Sequence, residues 1–157
     1  MLANGVSAYD EATGKGLLRH VLIRFGFTTK EIMVCLIING HKLPAQADLI
    51  ARLEKMEGMT SISINVNTKN TNVILGNENI VIHGDGYIYD ILGDYTFKIS
   101  PMSFYQVNPV QAEVLYNTAI EMAELTKEDI LFDLYCGIGT IGIFASSYVK
   151  KVYGIEI

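Results

Sequence analysis

The chain has 157 residues, a formal net charge of −5 and a composition in which 50% of the residues are hydrophobic. This length suits one medium domain or two small ones, and the apolar content argues against intrinsic disorder. The net charge excludes a bulk polycation, so any contact with nucleic acid has to use a local basic patch.

The two cysteines, Cys35 and Cys136, lie far apart and form no CxxC pair. This spacing predicts no metal site within the chain, and unpaired thiols are typical of a reducing compartment. No apolar run is long enough for a membrane span, and the first residues lack the charged-then-apolar pattern of a signal peptide. We therefore expect a soluble, cytoplasmic protein without a membrane partner.

The first hundred residues predict an N-terminal loop followed by a small α+β domain. Residues 1–16 are rich in Gly, Ala, Ser and Asp and predict a loop. Residues 17–100 alternate apolar segments of strand length with Asn-, Gly- and Asp-containing turns, which predicts an antiparallel, meander-like sheet. A helix that begins at Pro44 and ends at Gly58 packs on one face of this sheet. The predicted strands cover 17–25, 31–38, 61–67, 73–75, 80–83, 87–92 and 95–100.

A second predicted helix opens the last part of the chain. Asn108 is a suitable N-cap, and Pro109 fits the first helical position because its missing N–H would be unpaired there. The helical spacing predicts four buried residues, Leu115, Ala119, Met122 and Leu125.

Residues 101–157 predict the beginning of an α/β domain. After the helix come an apolar strand over Ile130–Leu134, a glycine-containing turn, a helical pattern and a second apolar strand over Val152–Ile155. Doubly wound sheets need more than two parallel strands and helices on both faces. We therefore expect a truncated chain, whose exposed apolar strand surface favours self-association.

The turn after the first of these strands predicts a nucleotide-type cofactor site. Gly137, Gly139 and Gly142 match GxGxxG, Asp133 precedes them, and Glu156 ends the next strand, 23 positions beyond Asp133. A carboxylate at about that distance can accept two hydrogen bonds from the vicinal hydroxyls of a ribose.

Three cofactors are candidates for this turn. A pyrophosphate such as that of NAD binds helix N-termini, but the carboxylate of Asp133 would oppose it. S-adenosylmethionine has no phosphate and carries positive charge, so acidic groups favour it, whereas ATP is excluded because no GK[ST] follows the glycines. An NAD-dependent oxidoreductase stays an alternative, as does a tight strand-to-helix turn that binds nothing.

Three stretches resemble motifs of the RumA/TrmA-type RNA (uracil-C5) methyltransferases: Ser103–Pro109, Asp133–Thr140 and Tyr153–Glu156. Gly16–His20, followed by Arg24, is similar to the central region of that family, so the resemblance spans nearly the whole chain. It is closer to the ribosomal-RNA branch than to the transfer-RNA branch.

The resemblance implies an α+β antiparallel central domain over 17–100, followed by the first β-α-β of a Rossmann-like methyltransferase domain over 101–157. It implies S-adenosyl-L-methionine as cofactor and a uridine in RNA, chiefly ribosomal RNA, as substrate. The residues it assigns to the cofactor are Gln106, Tyr135, Thr140 and Glu156, with Asp133, Gly137 and Gly139 forming the turn. The structural alternatives are core packing for Tyr135, support of the following helix for Gln106 and helix capping for Thr140.

In this family a cysteine adds to C6 of the uracil, C5 takes the methyl group and a carboxylate base removes the C5 proton. Both residues are expected beyond Ile157, so we predict no catalytic residue here and an inert chain. The iron–sulfur cysteines and the N-terminal RNA-binding barrel of the family also have no match, so we predict no cluster. Cys136 lies inside the turn, where a small thiol packs well, and Cys35 lies in an apolar strand.

A basic segment precedes the predicted sheet. Residues 13–30 contain no acid, and Lys15, Arg19 and Arg24 could contact RNA phosphates, with His20 lining the substrate cleft. A solvated strand face is the structural alternative, and a non-catalytic RNA-binding module is the third functional hypothesis.

Overall fold

The structure is a computed structural model that describes residues 4–157. Its elements in chain order are β1 (Leu18–Phe25), β2 (Ile32–Ile38), α1 (Gln46–Leu53), β3 (Met59–Val66), β4 (Glu78–His83), β5 (Ile88–Leu92), β6 (Tyr95–Ile99), α2 (Pro109–Met122), β7 (Ile130–Leu134), α3 (Thr140–Ala145) and β8 (Lys151–Ile155). None of the helices in this part of the chain is long and apolar enough to cross a membrane.

The described chain forms two compact units. Unit 1 extends to Ile88 and includes Ser100–Met102, whereas unit 2 comprises Tyr89–Ile99 and Ser103–Ile157. Most of the β5–β6 hairpin therefore groups with the residues that follow it. The predicted domain limits, at 16/17 and 100/101, stay predictions.

The sheet of unit 1 has the strand order β1-β2-β3-β4. β1 is antiparallel to β2 and β3 is antiparallel to β4, but β2 and β3 run parallel, with Val34 opposite Ile62. The prediction of an antiparallel meander is therefore wrong at the centre of the sheet, which is mixed. The reason is the crossover through α1, since a strand that returns after a helix can pair in parallel. The strand predicted over 73–75 is also absent, because these residues are part of an irregular loop.

The core of unit 1 lies on β2 and β3. A cluster of buried aliphatic side chains forms on one face: Val6, Val34, Leu36, Ile38, Leu43, Ile62, Ile64 and Val66. On the other face of β2, Met33, Cys35 and Ile37 are also buried, so this strand is covered on both sides. Full burial of a Val, Leu, Ile or Met side chain contributes roughly 1.5–3 kcal/mol, so the buried residues of β2 anchor this sheet.

The N-terminal loop packs on β1. Val6 is in the core, Ala8 forms a parallel bridge with Leu18, and a side chain at Gly16 would overlap the backbone of Ala8. The described part of the predicted loop is thus irregular but anchored. Residues 1–3 of the predicted segment lie outside the described residues.

Unit 2 contains the predicted β-α-β. Asn108 caps α2 by accepting the N–H of Gln111 at 3.1 Å, and Pro109 occupies the first turn, as predicted. β7 and β8 pair in parallel, with α3 between them in the sequence. The carboxyl ends of the two strands therefore lie side by side, next to the glycine turn.

Candidate cofactor site

The turn between β7 and α3 uses left-handed backbone at three positions. Tyr135 has φ 62°, Gly137 has φ 57° and Gly139 has φ 80°. Glycine adopts this conformation without strain, whereas at Tyr135 it costs about 1–2 kcal/mol. The Tyr135 side chain is 76% exposed, so core packing does not explain the residue. Strain at an exposed aromatic residue is typical of functional sites, and the sequence pattern gave no sign of it.

Asp133 holds the first turn of α3. Its Oδ2 accepts the backbone N–H of Gly142 at 2.9 Å, and Gly142 is the third residue of that helix. A Cβ at Gly142 would lie 2.9 Å from Asp133 Oδ2 and 3.0 Å from Val152 Cγ1. The third glycine of GxGxxG is therefore required by the close approach of this carboxylate and of β8.

Glu156 contacts the same turn from the end of β8. Its Oε2 accepts the backbone N–H of Gly137 at 2.7 Å, and the side chain is exposed. Parallel pairing of β7 and β8 produces this proximity, since it sets Asp133 opposite Gly154. The structure thus brings Glu156 and the glycine turn together, as the sequence spacing predicts.

Cys136 packs on the backbone of β8. Its N–H donates to the carbonyl oxygen of Ile155 at 3.1 Å, and a Cβ at Gly154 would lie 3.0 Å from its Sγ. A side chain at Gly154 would therefore crowd the Cys136 thiol. The other cysteine, Cys35, is fully buried, and burial raises the pKa of its thiol.

Thr140 begins α3 but does not cap it, since Gly139 is the N-cap. The Thr140 side chain is buried, and its Oγ1 accepts the hydroxyl of Tyr116 from α2 at 3.4 Å. The rings of Tyr116 and Phe144 of α3 meet edge to face, with 5.5 Å between centroids. The threonine hydroxyl thus joins the two helices behind the turn.

Gln106 lies in the segment between β6 and α2 and is partly exposed. The preceding residue, Tyr105, packs its ring on Phe97 with 5.9 Å between centroids. Burial, with smaller effects of Asp90 and Tyr116, raises the pKa of Tyr105 to about 12. Tyr105 therefore anchors the segment, while a contact between Gln106 and a cofactor stays a prediction.

The structure places Arg19 inside the fold. Its side chain is 1% exposed, and its guanidinium lies 4.5 Å from the ring centroid of Tyr9 and 3.7 Å from the carboxylate of Glu11. The same guanidinium donates to three carbonyl oxygens, those of Asn67, Lys69 and Thr71. The basic segment suggested a direct contact between Arg19 and a phosphate, but the guanidinium is buried and already bonded to the loop carbonyls.

The other basic residues of that segment differ in accessibility. Arg24 donates to the carbonyl oxygen of Pro101 at 3.3 Å, and burial lowers the pKa of its guanidinium. Lys15 is exposed and His20 is partly exposed. Of the four predicted RNA contacts, Lys15 is thus the most accessible, while His20 and Arg24 are both partly exposed.

No family model matches the chain. The sequence and the fold are nevertheless both similar to those of RNA methyltransferases. The chain is 50% identical over 153 residues to an uncharacterized RNA methyltransferase of Clostridium tetani, covering 97% of this chain and 33% of the relative. A protein of the same description from Halalkalibacterium halodurans is 51% identical over 154 residues, with 98% and 34% covered. The chain therefore spans about a third of the length of the curated relatives it matches.

Among solved structures, the chain is similar to the tRNA (uracil-54, C5)-methyltransferase of Pyrococcus abyssi in complex with S-adenosyl-L-homocysteine. The TM-score is 0.76 at 26% identity, covering 99% of this chain and 37% of the other. Over nearly its whole length, the chain is thus similar to RNA methyltransferases in sequence and to an RNA uracil-C5 methyltransferase in fold.

Proposed function

We propose that this chain supplies the central and cofactor-binding parts of an S-adenosyl-L-methionine-dependent enzyme that methylates C5 of a uridine in RNA. The observation that carries the proposal is the contact between Glu156 and the Gly137 N–H, at 2.7 Å. It puts a carboxylate at the carboxyl ends of two parallel strands, where a ribose diol can donate to it. The similarity to RNA methyltransferases supports the reaction class.

The hydrogen bond of Asp133 argues against a dinucleotide. A pyrophosphate on a helix N-terminus uses the free N–H groups of the first turn. Here the N–H of Gly142 is already bonded to the carboxylate of Asp133. A pyrophosphate would therefore lack this N–H donor and would be repelled by the Asp133 carboxylate. The positively charged sulfonium of S-adenosyl-L-methionine would be attracted by the same carboxylate.

Each predicted cofactor residue has a role that its position allows. Glu156 accepts the ribose hydroxyls, and the exposed ring of Tyr135 lies against the cofactor. Thr140 fixes α3 against α2 through Tyr116. Gln106 offers an amide to the methionine end of the cofactor. S-adenosyl-L-methionine supplies the methyl group when bound, and we assign neither the nucleophile nor the base of the reaction to this chain.

For the substrate we propose ribosomal RNA, because the motifs resemble that branch of the family more closely. Transfer RNA is the second candidate, since the similar solved structure is named for uracil-54 of tRNA. Lys15, His20 and Arg24 are the proposed side-chain contacts from the basic segment, since each is at least partly exposed, whereas the Arg19 side chain is buried.

Calorimetric titration of the chain with S-adenosyl-L-homocysteine and with NADH tests the cofactor class. We expect saturable binding of S-adenosyl-L-homocysteine and none of NADH. Binding of NADH alone would assign the turn to a nicotinamide cofactor instead.

Methyl transfer is tested in a chimera in which this chain replaces the matching third of the Clostridium tetani relative. With labelled methyl donor, we expect incorporation into uridine of ribosomal RNA and little into transfer RNA. A chimera that binds S-adenosyl-L-homocysteine but methylates neither RNA would contradict the proposed reaction.

A further inference from the structure

Unit 1 contains an irregular loop whose backbone is held by buried polar side chains. The 67–77 loop joins β3 to β4 and has no regular secondary structure. The side chains of residues 68–74 are exposed, yet the residues that hold the loop are buried. Surface loops held this rigidly by a scaffold are common places for binding.

Arg19 fixes one side of the 67–77 loop. Its guanidinium donates to the carbonyl oxygens of Asn67 at 3.1 Å, Lys69 at 2.7 Å and Thr71 at 3.2 Å. A buried cation is costly unless it is bonded, and here it is bonded to alternate residues of one loop. The planar fork of Arg reaches several carbonyls at once, which a lysine ammonium cannot match.

Asn67 fixes the other side of the loop. Its amide donates to the carbonyl oxygens of Val73 at 2.7 Å and Ile74 at 2.9 Å, and its Oδ1 accepts the N–H of Lys69 at 3.3 Å. Asn67 therefore ties the outgoing and the returning halves of the loop together.

Asn65 closes the base of the loop. Its amide donates to the carbonyl oxygens of Gly76 at 3.0 Å and Glu78 at 3.2 Å, and its Oδ1 accepts the N–H of Gly76 at 2.6 Å. Both Asn65 and Asn67 are buried. Together with Arg19 they bond the backbone of the loop along its whole length, from Asn67 to Gly76.

The loop displays donors and acceptors suited to a sugar–phosphate backbone. Its exposed polar side chains are those of Thr68, Lys69, Asn70, Thr71 and Asn72. The loop also lines a cavity of about 490 Å³ together with His41 and Glu78. This volume lies within the range of small-ligand sites, and hydroxyl, amide and ammonium groups are the usual partners of phosphate and ribose.

Glu78, the one acidic residue among the described residues that line this cavity, lies beside His41. Glu78 Oε2 lies 3.5 Å from Nδ1 of His41, and both side chains are more than half exposed. A carboxylate can accept the 2′-hydroxyl of a ribose, which is the group that distinguishes RNA from DNA. A protonated imidazole at His41 would offset the repulsion between the Glu78 carboxylate and nearby phosphates.

We infer that the 67–77 loop is a pre-organised contact for the RNA backbone, in which Lys69 pairs with a phosphate and the adjacent cavity takes a ribose. Arg19 is a positioning residue that acts through the loop carbonyls. The inference rests on the proposed function for its choice of RNA as the partner.

Fluorescence anisotropy with a short stem–loop RNA that has a uridine-containing loop tests the contact. Lys69→Glu should weaken binding roughly five- to tenfold and lower the salt dependence by about one phosphate contact. Lys55→Glu, the same charge change at an exposed position just after α1, should leave the affinity within about twofold, since no phosphate contact is lost. Equal affinities for the two variants would overturn the inference.

Arg19→Lys tests the positioning role while Lys69 stays intact. We expect faster amide hydrogen exchange in residues 67–77 together with weaker RNA binding. Faster exchange with unchanged RNA affinity would show a merely structural loop and overturn the inference.

Titration of the same proteins with S-adenosyl-L-homocysteine separates this inference from the proposed function. The Lys69→Glu and Arg19→Lys variants should bind S-adenosyl-L-homocysteine like the wild type. A wild-type chain that binds S-adenosyl-L-homocysteine but not the RNA overturns the loop contact alone. A chain that binds neither overturns the proposed function as well.

Discussion

The replacement of Gly142 by alanine tests how the turn is built. The new Cβ would lie 2.9 Å from Asp133 Oδ2 and 3.0 Å from Val152 Cγ1, and both distances are too short for unstrained contact. The carboxylate cannot retreat without losing its 2.9 Å bond to the Gly142 N–H. Gly142→Ala therefore opposes a charge-assisted hydrogen bond that helps hold α3 to β7.

The expected size follows from three effects. Loss of a hydrogen bond to a charged group costs about 1.5–3 kcal/mol, and overpacking costs about 1–3 kcal/mol. The better helix propensity of alanine returns about 1 kcal/mol. Because Asp133 is partly exposed, the lower values apply, and we expect Gly142→Ala to reduce the free energy of unfolding by about 1.5 kcal/mol.

Urea unfolding followed by circular dichroism measures the change, and amide hydrogen exchange in α3 locates it in unit 2. The double variant with Asp133→Ala is the matched test, because removing the carboxylate removes the closest contact. The two substitutions should therefore cost less together than the sum of their separate costs. Wild-type stability of Gly142→Ala, or strict additivity with Asp133→Ala, would refute the reasoning.

Three other properties can be measured on the same chain. Asn108→Ala should lower the free energy of unfolding by about 1 kcal/mol in urea, because it removes the cap of α2, while Asn108→Asp should retain stability. Tyr105 should stay protonated where exposed tyrosines ionise, near about pH 10, because its pKa is raised. The stability that the protonated Tyr105 contributes is complete below that pH and is lost as pH rises through about 12. Ultraviolet titration should therefore show a tyrosine ionisation near pH 12 that is missing from Tyr105→Phe. The same ionisation curve above about pH 10 in both proteins would contradict this prediction. Light scattering should show self-association, and Phe132→Lys should weaken it. Phe132 is 59% exposed and stacks on the exposed Tyr153 on one face of β7 and β8, so the two rings form an apolar surface. A monomer at high concentration would exclude this self-association.

Local features of unit 2 were predictable because their signals are short-range. The cap and proline that begin α2 act within one turn of helix. The glycine turn needs left-handed backbone at Gly137 and Gly139, and only glycine supplies this without strain. The separation of Asp133 and Glu156 then followed from the length of one β-α-β unit.

The buried face of α2 could not be predicted from periodicity. Leu115, Ala119 and Met122 were expected in the core, but all three are exposed, Leu115 at 58% and Met122 at 81%. Tyr116 is buried against α3 instead. Apolar residues occur on several sides of this helix, so the spacing does not define one face. The packing of Tyr116 on Phe144 decides the orientation, and that contact is tertiary.

The pairing of β2 with β3 and the role of Arg19 are also non-local. Parallel pairing depends on the crossover through α1, which a list of apolar segments does not reveal. Arg19 lies in a basic segment, yet its partners are carbonyl oxygens 48 to 52 positions later in the chain. Charge counting therefore found the residue but not the loop that it holds.

The most direct test of the cofactor site is the backbone amide signal of Gly137 during titration of the isotope-labelled chain with S-adenosyl-L-homocysteine. Glu156 bonds this N–H at 2.7 Å, so a ribose that engages the carboxylate should shift the signal saturably. Glu156→Ala should weaken the binding by at least about 1 kcal/mol, or roughly fivefold. An unmoved Gly137 signal, or equal affinity in Glu156→Ala, would contradict the assignment of this turn to S-adenosyl-L-methionine.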